Sequence, residues 1–356
     1  MKATIHIIGV LTGLLFSFSS LNAQTPNESV SAKLSKELSA AYRKGIFEGT
    51  IIIASKGKAV IKSSYGFSNR KSKVPNSAET ISDIGSIAKT FTAAAILQLV
   101  SEGKLKLSTT IGEILPNAPS EKRSITINGL LSHQSGFENY HTDNDFDDMT
   151  KSEALEKIFA LSLLAKEGEK VAYSNAAYTL LAAIVEEVTS IPFQEYVHKS
   201  LLAPLGLKNT GFYGDSSLSK KTIARGYGGS DSGETTFEKG LSWALIGQGG
   251  MVASGNDLYQ WFSALLNGRV FPGNSKNLAL MKANEKWLLG NIRHFDSWGA
   301  LSYVAGGSTD YGYTSLVQYL PESDTVIVLL LNSYGRKYRN ATHQKLSKHH
   351  IIPLLL

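Results

Sequence analysis

The stretch Ile84-Gly85-Ser86-Ile87-Ala88-Lys89-Thr90-Phe91, continued by Thr92-Ala93-Ala94-Ala95-Ile96-Leu97-Gln98-Leu99-Val100, decides the fold. From Ile87 to Val100 it holds neither Gly nor Pro and is dominated by Ala and Leu, which predicts a helix. Apolar residues occupy nearly every side, so the helix is expected in the middle of a domain rather than on a surface. Gly103 supplies the stop. Ser86 then falls at the helix N-terminus, where unpaired backbone N–H groups and the positive dipole end favour developing negative charge. Lys89 lies three residues on, on the same face, with its amine able to reach back to the Ser86 hydroxyl. A hydroxyl needs a neighbouring base to become a nucleophile, and desolvation can lower a lysine pKa enough for it to serve. The spacing alone is common: Ser-x-x-Lys recurs at Ser55, Ser68, Ser101 and Ser217, and serines before helices are often plain N-caps. Only Ser86 combines a preceding glycine with a long buried helix behind it.

Working outward, residues 1–23 read as a signal peptide. Lys2 gives a positive start, Ile5 to Phe18 an apolar run, and Leu21-Asn22-Ala23 a small-residue cleavage site before Gln24. The run is too short and too rich in Ser and Gly for a spanning helix, and no later segment is long enough. An exported protein, periplasmic or secreted, is expected, without stable membrane insertion once the signal is removed. Cys is absent, which excludes disulfides, thiolate nucleophiles and Cys-ligated metals. Such a chain needs a large core, and 42% hydrophobic with 19% charged residues suits one large domain or two intimate ones. The net charge of +6 suits anionic surroundings such as a cell wall. No Arg-rich helix, zinc-finger spacing or aromatic RNA signature is present, so nucleic acid is not an expected partner. The basic residues Arg336, Lys337, Arg339, Lys345 and Lys348 read as a solvated tail. The histidines have no metal-ligand spacing, and the glycines at 247, 249 and 250 lack a surrounding parallel βαβ unit, so neither a metal nor a cofactor is expected.

Along the chain, Gln24 to Lys44 is expected to form a helix. Gly49 to Ala54 and Ala59 to Tyr65 flank Lys56-Gly57, a hairpin signal. From Leu105 to Thr210 the pattern is helical, with candidates at Thr126 to Leu131, Lys151 to Leu164, Ala176 to Thr189 and Pro192 to Leu202. Ser254 to Asp257 reads as a capping box opening a helix to Leu266. Tyr313 to Leu320 and Thr325 to Leu331 form a second hairpin around Pro321-Glu322-Ser323-Asp324. The fold class is therefore α/β in the α+β sense, an antiparallel sheet flanked by helices with an inserted all-helical subdomain. Residues 24–104 and 211–356 would carry the sheet, residues 105–210 the helices, and a cleft would lie between them.

Tyr173-Ser174-Asn175 stands at a helix start within that helical block. A phenol near a lysine ammonium loses its proton more easily, and an asparagine can orient lysine and substrate. Tyr338-Arg339-Asn340 shows the same pattern, but without that placement. Taken with Ser86-Ile87-Ala88-Lys89, the motif resembles those of the penicillin-binding serine hydrolases and class C β-lactamases. The resemblance runs from about Gly49 to Asn332. It includes Leu130-Leu131-Ser132-His133-Gln134-Ser135-Gly136, Pro204-Leu205-Gly206-Leu207 with Thr210, and Gly247 to Ser254.

The resemblance implies an acyl-enzyme on a three-layer fold: Ser86 attacks an amide or ester carbonyl, Lys89 and Tyr173 shuttle the proton, and Asn175 contacts substrate. A third motif on an edge strand, matched here by Ala305-Gly306-Gly307-Ser308, would bring Gly306 and Gly307 against substrate and add the Ser308 N–H to that of Ser86 as oxyanion donors. Ala305 stands where the family usually has a cation or imidazole, which favours an esterase or peptidase over a β-lactamase; Arg293 and His294 are nearby sources of charge. The resemblance places His133 in a structural turn, and Trp243, Trp261, Trp287 and Trp298 read as core or cleft wall. The expected partner is a small-molecule or peptide substrate. The competing class is a catalytically weakened relative that binds cell-wall fragments or a protein. Any closing helix is expected to be short, about Ala341 to His350.

Overall fold

The computed structural model describes residues 29–271, 278–297 and 299–356; the expected signal peptide and Trp298 lie outside these. Helix α1 spans Val30–Arg43, and its Ser29 N-cap accepts the Ala32 N–H. The main sheet has seven strands: β1 Gly49–Ser55, β2 Lys58–Tyr65, β3 Trp287–Leu288, β4 Ile292–Ser297, β5 Ala300–Ser308, β6 Thr314–Leu320 and β7 Thr325–Leu331. Their order across the sheet is β2-β1-β7-β6-β5-β4-β3, antiparallel throughout. The first and last described hairpins lie side by side in it, joined where Gly49 pairs with Leu331 and Ser55 with Thr325.

Both faces of the sheet are covered, which is why β1 and β7 read as unbroken apolar runs rather than alternating ones. Ile51, Ile53, Ile327, Leu329 and Leu331 point into one core with Leu34 and Leu38 of α1 and Leu346, Ile351 and Ile352 near the C-terminus. Ile52, Val326, Val328 and Leu330 point the other way, into a larger core shared with α2, Ala88–Ser101, and α4, Gly255–Leu266. Helix α2 is buried from Ala88 to Leu99, as its composition demands. Phe91 stacks on Trp261 of α4 with ring centroids 3.9 Å apart, and the Trp261 indole N–H donates to Thr90 Oγ1 at 2.9 Å.

Short helices from Ile111 to Leu205 surround α3, Asn175–Thr189, which packs against α2. A small sheet of Ile81–Asp83, Met251–Ser254 and Thr210–Phe212 lies beside them. No single described helix is long and apolar enough to cross a bilayer.

Three expectations change. The helix candidate from Pro192 to Leu202 is interrupted: Phe193–Val197 is α-helical, and His198–Leu202 continues as a π-helix. The helix from Lys151 stops at Ala160 rather than at Leu164. The closing helix is longer than expected, because Thr342–Leu346, Ser347–Ile351 and Ile352–Leu355 follow without a gap and pack on β6, β7 and α1. Pro353 does not break the run, since it sits in the first turn of the last segment, where its missing N–H costs nothing.

Candidate active site

The α-helix proper begins at Ala88; Ser86 sits just before it, in the single 3-10 turn Gly85–Ile87. That turn requires a glycine, because Gly85 has φ +49 and a Cβ there would lie 2.9 Å from the Ser308 backbone nitrogen. Three ties hold it, one local and two from elsewhere in the chain. Gly85 N–H donates to the buried Asp83 carboxylate at 2.7 Å, Ser315 Oγ donates to the Ile84 carbonyl at 2.7 Å, and Ile84 N–H donates to the Met251 carbonyl at 3.2 Å. Asp83 also accepts from Thr236 Oγ1 at 2.7 Å and Tyr213 OH at 2.5 Å. Burial nonetheless lifts its pKa above the usual carboxylate value.

The structure brings Ser86, Lys89 and Tyr173 together. Lys89 Nζ donates to Ser86 Oγ at 3.2 Å, and Tyr173 OH donates to the same oxygen at 2.8 Å. Lys89 is 1% exposed, and desolvation brings its pKa down to about 7, against a smaller upward pull from Asp145. Its other acceptor is the Gln248 carbonyl at 2.6 Å. The glycine-rich loop carrying that carbonyl is pinned between two helices: Thr92 Oγ1 donates to the Gly247 carbonyl at 2.6 Å, and Thr179 Oγ1 to the Ile246 carbonyl at 3.1 Å. Gly247 is required there, since a Cβ would lie 2.4 Å from the Tyr178 carbonyl oxygen.

Tyr173 differs from the sequence expectation. Its ring leaves 36% of its surface open to the cleft, but the walls around the phenol dehydrate it and raise its pKa rather than lower it. Of the two partners of Ser86, the lysine is the one that can lose its proton near neutral pH, while the phenol stays protonated. Behind Tyr173 lies the fully buried His133, with ring centroids 4.7 Å apart. His133 Nδ1 accepts the Ser174 N–H at 3.2 Å, which puts the ring proton on Nε2, donating to Asn291 Oδ1 at 3.0 Å. Burial depresses its pKa to about 3, so it is a neutral wall for the tyrosine.

Asn175 makes no hydrogen bond to Lys89. Its Oδ1 is buried without a partner, and its side chain pulls the pKa of Tyr140 down against the larger upward effect of burial. Across the cleft, β4 pairs with β5 only from Ala300 to Val304, so Ala305–Ser308 turns a free edge toward the Gly85–Ile87 turn. Gly307 passes so close that a Cβ would lie 2.3 Å from the Ile84 oxygen and 2.7 Å from the Ser86 nitrogen. Gly306 packs on His343, whose Nε2 would be 3.2 Å from an added Cβ. Arg293, on β4 opposite Val304, lines the cleft with Ala305, whereas His294 is engaged with the Asn284 carbonyl at 3.0 Å. Sequence reasoning missed Gln248, Tyr140 and Asp145. Gln248 acts through its backbone carbonyl, and its one available sign was the cluster of glycines around it.

A serine held between a buried lysine and a phenol, at the head of a core helix and facing the edge of an antiparallel sheet, is the arrangement of a serine hydrolase of the β-lactamase type. The chain belongs to the Beta-lactamase family, whose model matches residues 33–349. It is 28% identical over 296 residues to PbpX of Bacillus subtilis (strain 168), covering 80% of this chain and 71% of that protein. It is 25% identical over 309 residues to the teichoic acid D-alanine hydrolase of Staphylococcus aureus, covering 86% and 76%. Among solved structures, the octameric penicillin-binding protein homologue from Pyrococcus abyssi superposes with a TM-score of 0.76 at 24% identity, covering 91% of this chain and 77% of that one.

Proposed function

We propose that the protein is an exported hydrolase that transfers the acyl group of a small ester or amide to Ser86 and then to water. The observation that carries this reading is the pair of contacts on Ser86 Oγ, 3.2 Å from Lys89 Nζ and 2.8 Å from Tyr173 OH. Both groups donate to the serine at rest, so one must give up its proton before the serine can. Lys89 is that group, since a pKa of about 7 leaves much of it as free amine at neutral pH. The amine takes the Ser86 proton as Oγ bonds to the carbonyl carbon, and the carbonyl π pair moves onto oxygen. The N–H groups of Ser86 and Ser308 receive that charge. Collapse of the adduct expels the leaving group, which takes a proton from Tyr173; the Lys89 ammonium restores the phenol. Water then repeats the sequence and frees Ser86.

Ala305 offers no cation for the carboxylate that β-lactams and D-alanyl peptides both carry. An ester or amide without that requirement suits the site better, with a D,D-peptidase as the nearer of the two alternatives. The relative that is a teichoic acid D-alanine hydrolase supports an acyl group of alanine size and a place in the cell envelope. Export is supported by the positive start at Lys2, the apolar run from Ile5 to Phe18 and the Leu21-Asn22-Ala23 site. The test is labelling with a fluorophosphonate and, separately, a fluorescent penicillin, with Ser86→Ala as control. Ser86-dependent label from the first and not the second is expected. Absence of label from both would replace the hydrolase with a binding protein.

A further inference from the structure

Resting on that reading, we propose that His133 is a positioning residue for the proton-donating step. It sets the Tyr173 phenol against Ser86 and ties that phenol to the sheet edge lining the leaving-group side of the cleft. The imidazole is fully buried and hydrogen-bonds to neither Ser86 nor Lys89. It stands in the turn after the short helix Ile127–Leu131, with φ +57. In that left-handed conformation its carbonyl and its ring both meet one segment. The carbonyl accepts the Ala172 N–H at 2.8 Å, and Nδ1 accepts the Ser174 N–H at 3.2 Å. Tyr173 is braced on both sides by a single residue.

The ring completes the brace. The phenol makes one described hydrogen bond, to Ser86 Oγ, and Tyr173 is partly open to the cleft. Its ring rests on His133, with centroids 4.7 Å apart and planes at 34°, and the Trp287 centroid lies 6.1 Å away. On its far side the imidazole donates from Nε2 to Asn291 Oδ1 at 3.0 Å, and Trp287 meets it edge-on at 4.6 Å. Asn291 is a buried residue of the turn between β3 and β4, with φ +58. A second tie runs beside this one, since Asn284 Nδ2 donates to the Ser132 carbonyl at 2.9 Å and to Gln134 Oε1 at 3.1 Å. Burial keeps the imidazole neutral, with its pKa brought down to about 3. The brace needs that form, because a second ring proton would face the Ser174 N–H.

These contacts end at the reacting side of the cleft. Tyr173, Trp287, Asn291 and Arg293 all line a cavity of about 520 Å³ beside Ser86. Tyr173 does not line the cavity on the other side of Ser86, so a leaving group that takes its proton departs on this side. One imidazole sets both the proton donor and the wall that the leaving group passes.

The test compares kcat/KM of the full chain on 4-nitrophenyl and 4-nitrobenzyl butyrate, a ratio that covers only the steps up to release of the leaving group. The acyl group is the same in both. Nitrophenolate leaves without a proton, whereas the nitrobenzyl alkoxide needs the one that Tyr173 gives. A misplacement of about 1 Å can cost ~10²-fold, so His133→Asn should lower the benzyl ester at least about tenfold more than the phenyl ester. Asparagine tolerates the left-handed backbone but cannot span to Asn291 or support the phenol. Added to Tyr173→Phe, the same substitution should lower the benzyl ester by less than about threefold further, because it acts through the missing phenol. Asn291→Gly keeps the positive φ and removes the acceptor; it should show the same bias against the benzyl ester, and it decides the matter where His133→Asn does not fold. Equal losses on the two esters, no loss on either, or full additivity with Tyr173→Phe overturns the positioning role and leaves the acyl-enzyme standing. No Ser86-dependent hydrolysis of either ester by the unmodified protein, together with no fluorophosphonate label, overturns both.

Discussion

Replacing Gly307 with alanine puts a methyl group where the sheet edge and the turn carrying Ser86 touch. The added Cβ would lie 2.3 Å from the Ile84 oxygen, 2.7 Å from the Ser86 nitrogen and 2.9 Å from Ser315 Oγ. All three belong to groups that cannot swing away: two are backbone, and the third is held by its bond to Ile84. The strand and the turn must part by roughly 0.7 Å before the methyl is even 3.0 Å from the Ile84 oxygen. That displacement moves the Ser86 N–H away from Ser308, and losing one oxyanion donor costs about 3 kcal/mol, ~10²-fold in kcat. The strain itself takes about 1–3 kcal/mol from stability. The assay is kcat on a p-nitrophenyl ester, with near-UV circular dichroism and thermal melting to confirm folding. Gly306→Ala is the comparison, since its Cβ meets His343 Nε2 at 3.2 Å and only asks a side chain to shift. A folded Gly307→Ala enzyme within about threefold of the parent, or a Gly306→Ala enzyme damaged just as severely, would refute the role given to this contact.

Four further outcomes follow from the same structure. The kcat/KM profile should rise through pH 7 as the Lys89 ammonium, whose pKa is held down to about 7, loses its proton; a profile flat from pH 5 to about 9 excludes it as the base. The same group makes stability rise with pH between 7 and 10.5, because the unfolded chain holds a proton there that the native lysine lacks, and urea melts across that window should show the slope. Tyr173→Phe keeps the ring on His133 but removes the donor at 2.8 Å from Ser86, so kcat should fall ~10²–10⁴-fold with little change in melting temperature; a loss under about tenfold contradicts the proton path. Trp261→Ala empties the stack on Phe91 and removes the indole donor from Thr90, and should cost about 3–5 kcal/mol in denaturant unfolding.

The parts of this protein that were legible in the sequence are those fixed by short-range spacing. Helix α2 could be read because Ala and Leu cover every side, and Lys89 could be placed because three residues make less than one helical turn. The hairpins β1–β2 and β6–β7 announced themselves by apolar runs broken at Lys56-Gly57 and Pro321 to Asp324. Tyr173 lies 87 residues from Ser86 and was recognisable only through its position at the start of α3 and the resemblance of its motif. Its protonation was not legible, because proximity to a cation and burial push a phenol in opposite directions and only the packed site says which prevails. The closing helix was underestimated for a similar reason: Pro353 looks like a terminator in a string of letters, and its harmless place in a first turn depends on where the preceding segment ends.

The same distinction explains how Ser86 is held. Helix α2 brings Ser86 and Lys89 into one turn, but it does not fix where that turn stands relative to the sheet. That position comes from Asp83, Ser315 and Met251, each from a different strand and each bound to a backbone atom at Ile84 or Gly85. A carboxylate buried beside Tyr213 and Thr236 is costly to desolvate, as the raised pKa of Asp83 records, and tolerating it makes sense where the donor it captures is the Gly85 N–H beside Ser86. The position of Ser86 thus rests largely on tertiary contacts to the backbone of its turn, whereas the Ser86–Lys89 pairing is local to one helix start. Side-chain motifs foretell the second much better than the first.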